Sequence, residues 1–234
     1  MNDAKLILVL ADQLSTQQPA LKSAVPGRDI VVMAEVAEEA SYVRHNRHKI
    51  ALLFSAMRHF KLELEAEGYQ VEYLPYESDT PSLEAAVASV LARINISEIV
   101  ICEPGEYRLL EQMKYFWSSS LGKPVTLLED DRFLASHTDF ADWAKGKKQL
   151  RMEFFYRKMR ERYQILMDAG EPAGGKWNYD ADNRVGWRNQ IEIPSRPDIS
   201  PDVITAEVID LVNANFPDNP GDLSQFRLAV TRAD

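Results

Sequence analysis

Two polar residues, Asp12 and Gln13, stand directly behind Leu6-Ile7-Leu8-Val9-Leu10, an apolar run near the N-terminus. A second apolar run, Ile30-Val31-Val32-Met33-Ala34, is followed by the carboxylates Glu38 and Glu39. Acids in that position can accept hydrogen bonds from a ligand or complement the dipole of a helix N-terminus, and both roles stay open. His45, His48 and His59 share one helical stretch, and the first two could face a metal from one side. Arg44, Arg47, Lys49 and Arg58 surround them, an unfavourable field for a cation, so a solvated or phosphate-facing basic surface is preferred. Lys145 to Arg162 carries eight basic residues against the acids Glu153 and Glu161, with Phe154, Phe155, Tyr156 and Tyr163 interleaved. Such a helix could lay Arg and Lys on phosphates and stack its rings. As an ordinary amphipathic helix it would instead bury Met152, Phe155, Met159 and Leu166 and solvate its arginines.

Several familiar sites are missing. Neither G-x-G-x-x-G nor G-x-x-x-x-G-K-[ST] follows the first apolar run, which removes the dinucleotide fingerprint and the phosphate loop. There is no G-x-S-x-G elbow, and the single cysteine, Cys102, ends an apolar run where an inert core thiol is the simpler reading. One cysteine also excludes intrachain disulfides and a four-cysteine zinc or iron–sulfur site within these residues. The net charge of −9 argues against indiscriminate binding to nucleic acid.

The elements that would position these groups follow from hydrophobic pattern. Leu6–Leu10 and Ile30–Ala34 are apolar at every position, as strands buried on both faces of a parallel sheet are. Val71–Leu74, Ile99–Cys102 and Val125–Leu128 supply three more strands. Between them, a helical pattern from Ala40 to Leu64 breaks near His45-Asn46 and closes at Gly68. Pro81 opens a helix over Ser82 to Ile94, and another runs from about Glu106 to Leu121. The pattern predicts an α/β fold: a doubly wound five-stranded parallel sheet of flavodoxin or Rossmann type, order 3-2-1-4-5, with a helical and extended C-terminal appendage. Ligands of such sheets bind outside the carboxyl ends of the strands where strand order reverses, which places Asp12 and Gln13 at the mouth of a site.

The 234 residues divide into an α/β domain over 1–130, a basic helical extension over 131–169, and an extended linker with a terminal helix, Pro201 to Asn213, over 170–234. No stretch approaches the ~20 apolar residues of a membrane span. Met1-Asn2-Asp3 leads straight into a strand without a basic leader, so the expectation is a soluble cytoplasmic protein with no membrane partner.

Read together, the motifs Ala11-Asp12-Gln13-Leu14-Ser15, Glu39-Ala40-Ser41-Tyr42-Val43, Lys49-Ile50-Ala51, Ser55-Ala56-Met57-Arg58-His59-Phe60, Glu103-Pro104-Gly105-Glu106, Met152 to Arg160 and Gly174 to Arg184 resemble the deoxyribodipyrimidine photolyase-related proteins. These are bacterial photolyases and cryptochromes that carry an iron–sulfur cluster. The resemblance implies an N-terminal antenna and docking domain of a DNA-repair or blue-light photoreceptor flavoprotein. It also implies a C-terminal helical domain, holding FAD and the cluster, that lies beyond Val230-Thr231-Arg232. On that reading the partner is the missing FAD-binding domain, DNA is reached only through the full-length protein, and this chain alone carries neither FAD nor cluster. It would then lack the photolyase (carbon–carbon lyase) activity of the family.

The resemblance further implies a 6,7-dimethyl-8-ribityllumazine antenna contacted by Asp12, Ala34, Glu39, Tyr42 and Leu53. Arg157, Arg160, Asn183 and Arg184 would face the helical domain or the DNA backbone, with Trp177, Tyr179 and Trp187 available to pin the Gly-rich segment. Ala11 stands where the family often has Gly, Ala34 where relatives can have Cys, and Asn46 where a second His is common. Two other functions fit the residues alone: a stand-alone flavodoxin-like binding protein for a nucleotide or flavin precursor, and a structural interaction module.

Overall fold

Alternate residues of the first strand serve opposite faces of the sheet, which is why the run is apolar throughout. In the computed structural model, which describes residues 4–76, 80–181, 192, 194–195 and 197–234, β1 spans Ala4–Leu8. Ile7 and Val9 pack with Val31, Met33 and Val100 on one face, while Leu6 and Leu8 pack with Val32, Ile99 and Ile101 on the other. All five residues from Leu6 to Leu10 are at most 5% exposed. Strands β2 (Ile30–Ala34), β3 (Gln70–Leu74), β4 (Ile96–Cys102) and β5 (Val125–Leu128) complete a parallel sheet of order β3-β2-β1-β4-β5. The chain winds outward from β1 to β3, returns to the other side of β1, and winds outward again.

Helices cover both faces. The first face receives α1 (Pro19–Lys22), α3 (Arg47–Ala66) and α9 (Val203–Asn215), through Leu21, Ile50, Phe54, Met57, Leu64, Val208 and Val212. The second receives α4 (Leu83–Leu91), α5 (Tyr107–Tyr115) and α6 (Trp117–Ser120), through Val87, Val90, Leu109, Met113 and Trp117. The expected break in the long helical pattern is present. A short α2 (Ala37–Ser41) ends at Tyr42, and Asn46 caps α3 by accepting from the His48 amide at 2.8 Å. Gly68, at φ +88°, stops α3 because a left-handed residue follows its last turn.

Several boundaries differ from the sequence pattern: β1 lies two residues earlier than Leu6–Leu10, β3 and β4 start at Gln70 and Ile96, α4 ends at Leu91, and α9 replaces the expected Pro201 to Asn213. Pro81 lies outside α4, because Ser82 is the cap and accepts from the Ala85 amide at 3.1 Å. The helix after β4 is interrupted at Phe116, which is 64% exposed and not held in the core. The β1–β2 connection contains the unforeseen α1, started by the Gln18 side chain accepting from Ala20 N at 3.0 Å.

The described chain forms two compact units, residues 1–130 with 198–234, and residues 131–197. The second contains α7 (His137–Ala144), α8 (Met152–Tyr163) and a small hairpin of β6 (Met167–Asp168) and β7 (Glu171–Pro172). Its core is an aromatic cluster in which Phe140, Trp143 and Phe155 rings lie 5.0–5.6 Å apart, with Met159 packed beside them. Met152 and Leu166, expected inside, are 56% and 62% exposed. Met152 is the first residue of α8, and for Leu166 the reason is local: α8 is stopped by Gln164 in the left-handed region, which turns Leu166 off the helical stripe. Ser136 and Asp139 form a reciprocal cap at the start of α7, and Asp139 pairs with Arg162 at 2.8 Å. Among the described residues no helix is long and apolar enough to cross a membrane.

Replacing Leu8 with Ala leaves a void in a closed core and is expected to cost about 2–5 kcal/mol, measured by denaturant unfolding. In the second unit, the Arg162 hydrogen bond, then those from Ser136, hold the Asp139 carboxyl at about 2 instead of its ordinary 3.8. A depressed carboxyl stabilises the fold above its unfolded value and loses that contribution as pH falls through its folded value. Hydrogen-exchange protection of α7 amides should therefore decline between about pH 4 and pH 2, and Asp139→Asn should flatten that decline.

Candidate functional site

The reversal of strand order opens the sheet at its carboxyl edge. β1 has β2 on one side and β4 on the other, and the connections leaving these three strands diverge. Between them lies a crevice of about 210 Å³, where a single water needs about 10–15 Å³. Its wall is formed by the segment after β1 (Val9 to Asp12), the last residue of β2 with Val36 behind it (Ala34, Val36), α2 and α3, and Pro104-Gly105-Glu106 after β4.

The crevice is graded from dry to polar. Val9, Ala40, Ile50, Phe54 and Met57 are all at most 7% exposed and give it an apolar floor. Asp12, Glu39, Tyr42, His45, Lys49 and Glu106 supply the polar lining. Asp12, Ala34, Glu39, Tyr42 and Leu53 thus come together in one place, drawn from the segment after β1, β2, α2, the cap after α2, and α3.

Arg108, which the sequence reading did not single out, organises the polar side. Its guanidinium donates to Glu39 at 2.8 and 2.9 Å and to Glu106 at 2.9 and 3.2 Å. Glu38 stands 3.5 Å away, and the Tyr42 ring centroid is 5.0 Å from the guanidinium carbon. Glu39 therefore spans the site and a cation. Neither Glu38 nor Glu39 makes a side-chain cap, because the first amides of α2 are taken up by the Thr80 and Pro81 carbonyls. The visible signal for Arg108 was its place in the first turn of the helix leaving the strand beside the reversal.

Two buried polar groups fix the geometry. Gln13 is wholly buried, not at the mouth, and its amide nitrogen donates to the Cys102 and Glu103 carbonyls at 3.1 and 3.0 Å. It ties the end of β1 to the end of β4. Glu35, 1% exposed, accepts from Arg58 at 2.7 and 2.9 Å, from the Tyr76 amide at 2.9 Å and from the Tyr73 hydroxyl. Burial, together with the adjacent Glu35 charge, pushes the Tyr73 hydroxyl above its ordinary 10.

The outer rim, residues 42–48, is held by the chain's C-terminal portion. Asn219 donates to the His45 carbonyl at 2.9 Å, the Arg47 amide to the Pro220 carbonyl at 2.7 Å, and Arg44 to the Asp218 carbonyl. Gly221 sits at φ +108°, and a Cβ there would lie 2.5 Å from the Asn46 Oδ1 atom, so only glycine lets this strap close. The three histidines part company. His45 lines the crevice, His48 stacks on Phe226 at 6.0 Å, and His59 meets Asp202 at 2.7 Å. Burial, then the Lys49 ammonium, lower the His45 pKa below its ordinary 6.5, and Lys49 Nζ lies 3.2 Å from its Nδ1 atom. Among the described residues no group of three or more His, Cys, Asp or Glu could hold a metal ion.

In the second unit, Arg157 and Arg160 lie 5.4 and 5.1 Å from the Trp177 ring centroid. Arg160, expected to point outward, is 6% exposed and donates to the Ile165 and Leu166 carbonyls, which the turn after α8 leaves without helical partners. Arg157 is partly exposed and pairs with Glu153 one turn away. Trp177 is partly buried and Tyr179 exposed. Asn183, Arg184 and Trp187 lie outside the described residues.

Comparison with known proteins gives a consistent grouping. The family described as deoxyribodipyrimidine photo-lyase-related protein matches residues 7–228. A (6-4) photolyase of Agrobacterium fabrum is 44% identical over 233 residues, which are 99% of this chain and 46% of that protein. The chain thus spans about half the length of this relative. An uncharacterized protein, R852, of Acanthamoeba polyphaga mimivirus is 27% identical over 173 residues, covering 70% of this chain and 86% of that one.

Removing one member of the buried cluster should be severe. Arg58→Ala leaves the Glu35 carboxylate in the core without its cation, at an expected cost of about 3–5 kcal/mol in denaturant unfolding. Arg58→Ala combined with Glu35→Gln should recover part of that loss, because no uncompensated charge is left behind.

Proposed function

The chain belongs to the deoxyribodipyrimidine photo-lyase-related protein family, and on that footing we propose that its α/β unit is an antenna domain that binds a ribityllumazine at the carboxyl edge of the sheet. The observation that carries this reading is the crevice itself. Asp12, Ala34, Glu39, Tyr42 and Leu53 line one cavity with an apolar floor and a carboxylate lining. An aromatic heterocycle with a hydroxylated tail requires that division of labour, with dry walls for the ring and acceptors for hydroxyls and ring N–H groups.

The residues present fit such a ligand. Ile50, Leu53, Phe54 and Met57 of α3 would exclude water from one side of the ring, and Val9, Ala34 and Val36 from the strand ends. Ala34 lies at the end of β2 with its side chain among these apolar neighbours. Asp12 and Glu39 would accept from the tail. Tyr42, held against Arg108, closes the outer edge. A bound lumazine would supply absorption in the near ultraviolet, which side chains alone do not provide. The protein's own contribution is to bind and orient it, with no covalent step.

In this proposal the light energy passes to a flavin in a helical domain that is the partner of this chain, as part of a protein that repairs (6-4) photoproducts or signals under blue light. Such a chain by itself would catalyse no repair. Arg157 is partly exposed and is proposed to meet that domain or DNA, and the same role is proposed for Asn183 and Arg184 on family likeness alone. Arg160 is drawn instead into holding its own turn.

Leu53 is partly exposed to the crevice, so a larger side chain there fills ligand space and does not overpack the closed core. Leu53→Trp should abolish binding of 6,7-dimethyl-8-ribityllumazine in a fluorescence titration while leaving the unfolding transition within about 1–2 kcal/mol of the parent. Unchanged affinity in that variant would place the ligand elsewhere.

A further inference from the structure

The charge pattern of the crevice bears on the kind of tail it accepts. Three carboxylates, Asp12, Glu39 and Glu106, line it, against one ammonium, Lys49. Arg108, beside them, offsets one of these charges and leaves the set net negative. Arg108 does not line the crevice, and its Nε and Nη2 groups are engaged by Glu39 and Glu106, with Glu38 3.5 Å from Nη1. Nor is there a glycine-rich loop after β1 to surround a phosphate with amides. The start of α5 contributes about half a positive unit. Glu106, at the cap position of that helix, places a full negative charge there.

Resting on the antenna reading above, we infer that the crevice is specific for a heteroaromatic ring with an uncharged, hydroxylated tail and discriminates against the corresponding phosphate ester. Glu39 and Glu106 are the discriminating residues, and Arg108 is the positioning residue that holds them at the lining. A dianionic phosphate entering this lining meets fixed like charges in a partly dry site, where screening is weaker than in bulk water. Hydroxyls meet acceptors in the same place. Glu39, which would contact a neutral tail, is thus also a group that repels a charged one.

The test compares 6,7-dimethyl-8-ribityllumazine with its 5′-phosphate by fluorescence titration of the full chain, in low salt and in about 0.5 M salt, where the Debye length falls well below 10 Å. The phosphate ester should bind at least about tenfold more weakly in low salt, a difference of about 1.4 kcal/mol. The gap should narrow in high salt and in a Glu39→Gln, Glu106→Gln double variant whose fold is checked by circular dichroism. Arg108→Gln removes the compensating cation and should widen the gap, whereas a merely loosened fold would lower both affinities alike. Equal affinities for the two ligands would overturn the inference and leave the antenna reading standing. A gap indifferent to salt would mean exclusion by shape and would also overturn it. If neither ligand binds the folded protein, the antenna reading fails and this inference with it.

Discussion

The buried Glu35 carboxylate constrains more of this structure than any other single group. A charge with no exposed side-chain surface is tolerated only when its acceptor positions are filled, and here a guanidinium, a phenol and a backbone amide fill them. Those donors belong to α3, β3 and the segment after β3. Satisfying one carboxylate at the end of β2 therefore fixes the height of α3 over the sheet edge. The side chains that α3 turns into the crevice, Ile50, Leu53, Phe54 and Met57, inherit that position. Tyr76 extends the arrangement, since its ring packs against Phe54 at 5.9 Å and Phe216 at 5.4 Å.

The opposite wall has its own tie. Gln13 bridges the ends of β1 and β4, the strands between which the winding reverses, and so holds the sheet together where the connections part. Arg108 then links the segment after β4 to α2 through Glu106 and Glu39. The crevice is framed by two buried or half-buried polar clusters, with apolar packing between them. The open surface of the crevice is mainly apolar.

Much of the fold was legible because a parallel sheet covered on both faces writes itself as continuous apolar runs, and β5 was read to the residue. The elbow before α3 was legible too, since Asn46 is a capping residue inside a helical pattern. What could not be read was pairing across distance. Glu35 looks like any acid after a strand, and its partners Arg58 and Tyr73 lie 23 and 38 positions away. Arg160 looked like one more solvated arginine of a basic helix, because nothing local announces that the chain will turn at Gln164 and offer it two carbonyls. At the site, position after a strand pointed to Asp12 and, with a capping role as the alternative, to Glu39, while Ala34, Tyr42 and Leu53 were named by family likeness, and Arg108 by neither.

An antenna role for the α/β unit requires ligand binding at the carboxyl edge of the sheet. Amide chemical-shift mapping of the isotopically labelled chain during titration with 6,7-dimethyl-8-ribityllumazine measures this most directly. Perturbations are expected to concentrate at Val9–Asp12, Ala34–Tyr42 and Gly105–Leu109, with residues 131–181 undisturbed. Perturbations confined to residues 131–181, or none at saturating ligand, would contradict it.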